Sequence, residues 1–247
     1  MSKIVFKNVS ILYEGKKKSF ITAVDDVSFS LEDKKFHVLV GPSGGGKTSL
    51  MKCITGDLIY EGNIYLGNVD IESIPIKNRK LSYMSQDYLV FPNINVYDNI
   101  AFPLRVMKMD HDEADQRIKH IASLLGIDYL LTRKSKFLSI GQISRVALAK
   151  ALVKDGDIYL FDEPTKNLDV KNREIVVNLI KENIKKQNKT ALYITHDIKE
   201  ALLIADYIHV VSDGKYIGVY TPEQFIADDN EVVKSLRADL DYGQKED

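Results

Sequence analysis

Residues 36–48 read F-H-V-L-V-G-P-S-G-G-G-K-T, and S-L-M-K-C-I-T-G follows over 49–56. The apolar run Phe36–Val40 is a short buried strand by pattern, and a helix is expected over 47–56. Gly41 to Thr48 fits G-x-x-x-x-G-K-[ST], between a strand and a helix as that pattern requires. Glycines let the backbone curl so that its N–H groups converge on phosphate oxygens. The helix N-terminus adds its positive end. The contact set expected here is Gly41, Ser43, Gly44, Gly45, Gly46, Lys47, Thr48 and Ser49. In that set Lys47 reaches the β- and γ-phosphates and Thr48 holds Mg²⁺.

Upstream, Ile4, Phe6 and Val9, then Val24, Val27, Phe29 and Leu31, suggest half-buried strands. Residues 61–71 read as short strands with Gly/Asn turns. Downstream, strand signals return at 157–162, 190–195 and 207–211, with helices expected at 170–187 and 198–205 between them. Strands alternating with helices predict a parallel α/β core. Asp213-Gly214 predicts a closing hairpin. From about 96 to 154 the pattern is helical, with Ile143, Val146, Ala147 and Ala151 on one face. Val232, Val233, Leu236 and Leu240 predict a short packed helix over 231–240. The division expected is one domain. Residues 1–87 and 156–247 form the α/β core, and 88–155 form a helical insertion.

The strand D-I-Y-L-F-D at 157–162 ends at Asp162, with Glu163 next. A carboxylate in that position binds Mg²⁺ directly or through water. A second one orients an attacking water. Gln86 and His196 also end strand-like runs, and neither stands out in isolation.

The composition is 45% apolar and 28% charged, as in ordinary globular proteins, and the net charge is -1. A chain binding nucleic acid through phosphates usually carries a basic excess, so no nucleic-acid partner is expected. The single cysteine, Cys53, excludes an intrachain disulfide and a Cys-based zinc site and reads as a small buried filler. No stretch approaches the roughly 20 apolar residues of a membrane helix. Lys16–Lys18 and Lys185–Lys186 read as solvated surface.

Joined in order, these motifs resemble the ATP-binding-cassette (ABC) ATPases, the nucleotide-binding subunits of transporters. Tyr13 resembles the aromatic that stacks on adenine. Gln86 matches the glutamine that senses Mg²⁺ and the membrane partner. L-S-I-G-Q at 138–142 resembles the family signature L-S-G-G-Q, with Ser139, Gly141 and Gln142 kept and Ile140 in place of a glycine. Asp162 matches the magnesium-associated acid, Glu163 the catalytic glutamate, Asp169 the loop that crosses the dimer, and His196 the switch histidine. Ser144 and Lys166 stand where a glutamine and a serine are common, beside positions expected to matter more.

The resemblance implies an α/β phosphate-loop NTPase fold, RecA-like, with a mostly parallel sheet, N-terminal antiparallel strands and a helical insertion carrying the signature. It implies ATP and Mg²⁺ as cofactors, with catalysis by Glu163, His196, Gln86 and Lys47. It also implies a second cassette, identical or paralogous, whose Ser139 turn seals the γ-phosphate. Transmembrane permease subunits are expected to dock on 87–107 and so to place the chain at the cytoplasmic face of the membrane; Tyr88, Leu89, Val90 and Phe91 either meet a helix of that partner or form core of the helical insertion, and the sequence leaves both open. Solute import is the main expectation. A non-importer membrane machine stays open, as does a slow nucleotide-binding regulator should the Ile140 side chain crowd the site.

Overall fold

The computed structural model describes residues 3–14 and 20–242. Lys16–Lys18 lie outside the described residues. Among the described residues ten strands make two sheets. The first is antiparallel and takes β1 (Ile4–Glu14), β2 (Phe20–Leu31), β4 (Glu61–Leu66) and β5 (Val69–Asp70), in the order β2-β1-β4-β5. Its strands alternate, with Ile4 and Phe6 buried and intervening residues partly exposed, because only one face meets the core.

The second sheet takes β3 (Phe36–Val40), β6 (Leu81–Met84), β7 (Ile158–Asp162), β8 (Thr190–Ile194), β9 (Tyr207–Ser212) and β10 (Lys215–Tyr220). Their order is β10-β9-β3-β8-β7-β6. Five strands are parallel, and β10 returns antiparallel to β9. Its turn is Asp213-Gly214, both at positive φ, as a two-residue hairpin requires. The central strands β3, β7 and β8 are buried at every position. Both faces are covered, so these strands read as unbroken apolar runs.

Two cores result. Leu39, Ile158, Leu160, Leu192 and Ile194 face α1 (Lys47–Thr55) and the antiparallel sheet. Val38, Val40, Tyr159, Phe161 and Tyr193 face the helical side. That side includes α5 (Val170–Lys186) and α6 (Ile198–Ile204). It also includes α2 (Val96–Val106), α3 (His111–Leu124) and α4 (Ile140–Leu152), which lie between β6 and β7 in the chain. Two helices, α7 (Pro222–Ala227) and α8 (Glu231–Tyr242), close the chain, and Val233, Val232, Leu236 and Leu240 of α8 pack inward as expected. No helix among the described residues is long and apolar enough to cross a membrane.

One buried polar cluster was not expected. His37 Nδ1 meets His209 Nε2 at 2.9 Å, and His209 Nδ1 meets the Tyr216 hydroxyl at 2.9 Å, all between the two sheets. Burial, and then the neighbouring His37, push the His209 imidazole down to about 3.

Candidate active site

The sheet order sets β3, β8 and β7 side by side and parallel, so their C-terminal ends and the loops that follow share one edge of the sheet. That edge is the usual ligand side of an open parallel sheet. The loop after β3 enters α1 through Gly46, whose φ of 96° belongs to the left-handed region. A Cβ at Gly46 would stand 2.6 Å from the Ala23 carbonyl oxygen and 2.6 Å from Val24 Cγ2. The loop is therefore pressed against β2. No side chain caps α1, which leaves its first-turn amides directed into a cleft of about 550 Å³.

Tyr13, Ser43 to Ser49, Gln86, Glu163 and Lys166 line that cleft. Tyr13 also shares a 3.0 Å hydroxyl–hydroxyl hydrogen bond with Ser49. Lys47 Nζ donates to the carbonyls of Gly41 and Pro42, each at 2.8 Å. The ammonium is thereby folded over the loop. Burial lowers its pKa, and the charges of Glu163 and Asp162 oppose that shift.

The carboxylates sit opposite the loop. Thr48 Oγ1 donates to Asp162 Oδ1 at 3.2 Å. Asp162 Oδ2 is buried, with no hydrogen-bond partner among the described residues. Such an orphaned oxygen costs about 1–3 kcal/mol unless something else satisfies it. A hydrated Mg²⁺ beside Thr48 fits that donor set, because Mg²⁺ takes one or two protein oxygens and keeps its waters and phosphates. Burial raises the Asp162 carboxyl above its ordinary value, and a cation there would reverse the effect.

Glu163 follows at φ 48°, left-handed for a residue with a side chain. Strain of about 1–3 kcal/mol of this kind gathers where function demands it. Its amide donates to the Ile194 carbonyl at 3.0 Å and anchors it to β8. The side chain is nearly buried. Lys166 Nζ lies 2.6 Å from Oε2, and His196 Nδ1 lies 3.5 Å from Oε1. Burial raises the carboxyl, but the Lys166 ion pair and the His196 contact outweigh it, leaving the group below the ordinary glutamate range.

The signature residues lie outside this cleft. Ser139 caps α4, accepting from the Gln142 amide while Gln142 Oε1 accepts from the Ser139 amide. Ile140 is 55% exposed and sits in the first helical turn without left-handed backbone, so its conformation needs no glycine. What remains of the departure is bulk on an open surface. Gly141 faces the loop after β7, where an added Cβ would stand 3.3 Å from the Asn167 carbonyl oxygen. Asp169 caps α5 through the Asn172 amide.

Three features correct or extend the sequence reading. Lys166, set aside as a minor departure, is in the cleft and on the Glu163 carboxylate. Tyr88 is 7% exposed and belongs to the core, whereas Leu89 and Phe91 are exposed. Glu200, unnoticed in sequence, is a buried hub: the hydroxyls of Thr165, Tyr193 and Thr195 all donate to it. Arg173 lies within 4.0 Å of both Glu200 and Asp197, and so braces the loops carrying Glu163 and His196. A glutamate in the first turn of α6 is an ordinary helix-start signal, and nothing local marks it as buried.

Known proteins agree with this architecture. A family model for ABC transporters matches residues 24–166. The molybdate/tungstate import ATP-binding protein WtpC of Thermococcus kodakarensis is 40% identical over 211 residues, which is 85% of this chain and 64% of that protein. The oligosaccharides import ATP-binding protein MsmX of Bacillus subtilis is 38% identical over 90% of this chain and 60% of its own length. The chain thus spans about three-fifths of the length of these curated relatives. The dimeric structure of MJ0796, a bacterial ABC transporter cassette, superposes with a TM-score of 0.81 at 27% identity. It covers 89% of this chain and 98% of that one. The same cassette bound to ADP and Pi in a post-hydrolysis state also superposes at 0.81. This chain belongs to the ABC transporter family and is one of its ATP-binding cassettes.

Proposed function

We propose that the chain is the ATP-hydrolysing subunit of an ABC importer, working through separate membrane subunits at the cytoplasmic face of the membrane. The observation that carries this is the cleft itself. It gathers Tyr13, the phosphate loop, Gln86 and Glu163 around one volume, with Thr48 hydrogen-bonded to Asp162.

In this reading Tyr13 stacks on adenine and the amides after Gly41 hold the phosphates. Lys47 leaves the Gly41 and Pro42 carbonyls for the phosphate oxygens. Thr48 and Asp162, with Gln86 at the rim, hold Mg²⁺, which neutralises phosphate charge when bound. Glu163 takes a proton from water as the water oxygen bonds the γ-phosphorus, and ADP departs with the electron pair of the broken P–O bond. His196 hydrogen-bonds the γ-phosphate and keeps the water in line.

The far wall comes from a second cassette, whose Ser139, Gly141 and Gln142 approach the γ-phosphate and whose Asp169 loop crosses the dimer. Two observations support this. Ser139 sits at the N-terminus of α4, suited to an anion. The signature is also open on the surface of the single chain rather than turned into its own cleft. The permease would dock beside α2. There Leu89 is 67% and Val106 69% exposed, and Phe102 lines a groove of about 370 Å³ with Tyr83 and Lys150. Import is favoured because relatives named for import of molybdate or tungstate, oligosaccharides and sn-glycerol-3-phosphate all match over most of this chain. Their differing solutes support a division of labour in which the membrane subunits choose the cargo. One observation favours a slower variant of this reading, the Ile140 side chain standing out from the signature. Ile140→Gly should then raise turnover by the purified chain, and an unchanged rate would remove Ile140 as a brake.

The deciding experiment is Glu163→Gln. It removes the base and keeps the shape, so ATP binding should persist while hydrolysis falls by about 100-fold or more. Wild-type hydrolysis in that variant would take Glu163 out of its role.

A further inference from the structure

Lys166 follows Glu163 by three residues, and both line the nucleotide cleft. Their ion pair is short, 2.6 Å from Nζ to Oε2. The other oxygen, Oε1, has His196 at 3.5 Å. Oε2 is buried and accepts no directed hydrogen bond among the described residues, so the ammonium holds it by charge at close range. The lysine is 42% exposed, its partner 15%. Its head is thus free to leave along a flexible stem, while the carboxylate is fixed by the strained backbone at φ 48° and by its amide bond to β8.

The residue after the lysine is tied elsewhere. Asn167 Nδ2 donates to the Tyr88 hydroxyl at 2.6 Å. Tyr88 and Leu89 are consecutive residues at positive φ, 61° and 42°, two positions past Gln86. The Leu89 carbonyl is held at 2.6 Å by Lys150 of α4. The Lys166–Asn167 pair therefore joins the hydrolytic carboxylate to a strained turn beside the exposed surface around Leu89.

Accepting that Glu163 activates the water, we propose that Lys166 is a positioning residue that latches the Glu163 carboxylate away from water until the 166–167 segment shifts. The latch restrains hydrolysis in the free cassette. Movement of the Tyr88 turn pulls on Asn167 and draws the ammonium off. The lysine acts through Glu163 and forms no bond to the reacting atoms.

The test is steady-state ATP hydrolysis by the purified chain, comparing Lys166→Met, Lys166→Arg and Tyr88→Phe with wild type. Lys166→Met removes the charge and keeps the stem. It should raise kcat by about two- to fivefold, the upper end equal to ~1 kcal/mol of ion-pair energy. KM for ATP should stay within about twofold, because uniform binding is untouched. Lys166→Arg should keep the wild-type kcat. Tyr88→Phe cuts the tie at Asn167 and should raise kcat less than Lys166→Met. The double variant Glu163→Gln with Lys166→Met should be no faster than Glu163→Gln alone.

A lowered or unchanged kcat in Lys166→Met, or an equal gain in Lys166→Arg, would overturn the latch. A raised KM with reduced kcat would also overturn it, by making the lysine a phosphate ligand. Failure of the underlying reading looks different: Glu163→Gln itself would then hydrolyse ATP normally. Should Lys166→Met melt early, Lys166→Ser supplies the same comparison with a short neutral side chain.

Discussion

Gly46 and Gly44 lie two residues apart in one loop, both at left-handed φ, yet the structure separates them. At Gly46, φ is 96° and an added Cβ meets the Ala23 carbonyl oxygen and Val24 Cγ2 at 2.6 Å each. Gly44 has φ 80° and nothing within 4 Å of the added atom. Alanine at 44 therefore bears only the backbone penalty, about 1–2 kcal/mol. Alanine at 46 bears that penalty and also a clash with backbone on β2, where overpacking adds roughly 1–3 kcal/mol. The sum is about 2–5 kcal/mol for Gly46→Ala. For a chain of this size about 2–4 °C of melting temperature accompanies each kcal/mol. Gly46→Ala should then melt roughly 4–20 °C below wild type and Gly44→Ala roughly 2–8 °C below, with Gly46→Ala the lower of the two because it bears the same backbone penalty plus the clash. Because Gly46 is the N-cap of α1, the displaced loop should also lose nucleotide affinity by about tenfold or more. Thermal unfolding and titration with a fluorescent ATP analogue measure both effects. Equal melting temperatures for the two variants, or full affinity in Gly46→Ala, would refute the argument that contact with β2 holds the loop in shape.

The buried His37–His209–Tyr216 chain predicts an acid-sensitive fold. An unfolded histidine has a pKa near 6.5, whereas burial holds His209 neutral down to about 3. The native state thus refuses a proton that the unfolded state accepts. The stability this histidine permits is intact above about pH 6.5 and is lost as pH falls towards 3, reaching about 2 kcal/mol near pH 5. Urea midpoints near pH 7.5 and pH 5 would show the drop, and His209→Gln should reduce it; the same slope in both proteins would assign the sensitivity elsewhere. The Glu163→Gln, Ile140→Gly and Lys166→Met measurements test the hydrolytic site separately from these stability effects.

Much of this protein was written locally. Phe36–Val40 followed by Gly41 to Thr48 predicts strand, loop and helix because each element follows from residues adjacent in the chain. Unbroken apolar runs at β7 and β8 mark a sheet covered on both faces, and Asp213-Gly214 marks its hairpin, because turn chemistry is also local. Most candidate residues were named on the same basis, since a phosphate loop and a strand-end acid carry their chemistry in their own spacing. Tertiary structure decided what depends on distance across the chain. Thr48 reaches Asp162 only because β3, β8 and β7 lie side by side. Tyr88 turned out buried and Leu89 exposed, although both are apolar neighbours, because left-handed backbone at two successive residues sends their side chains different ways. Glu200 looked like a helix-start acid and Lys166 like a surface substitution. Their partners are set by folding and packing: a hydrogen bond or ion pair needs two groups within about 3–4 Å, a separation no single stretch of sequence contains.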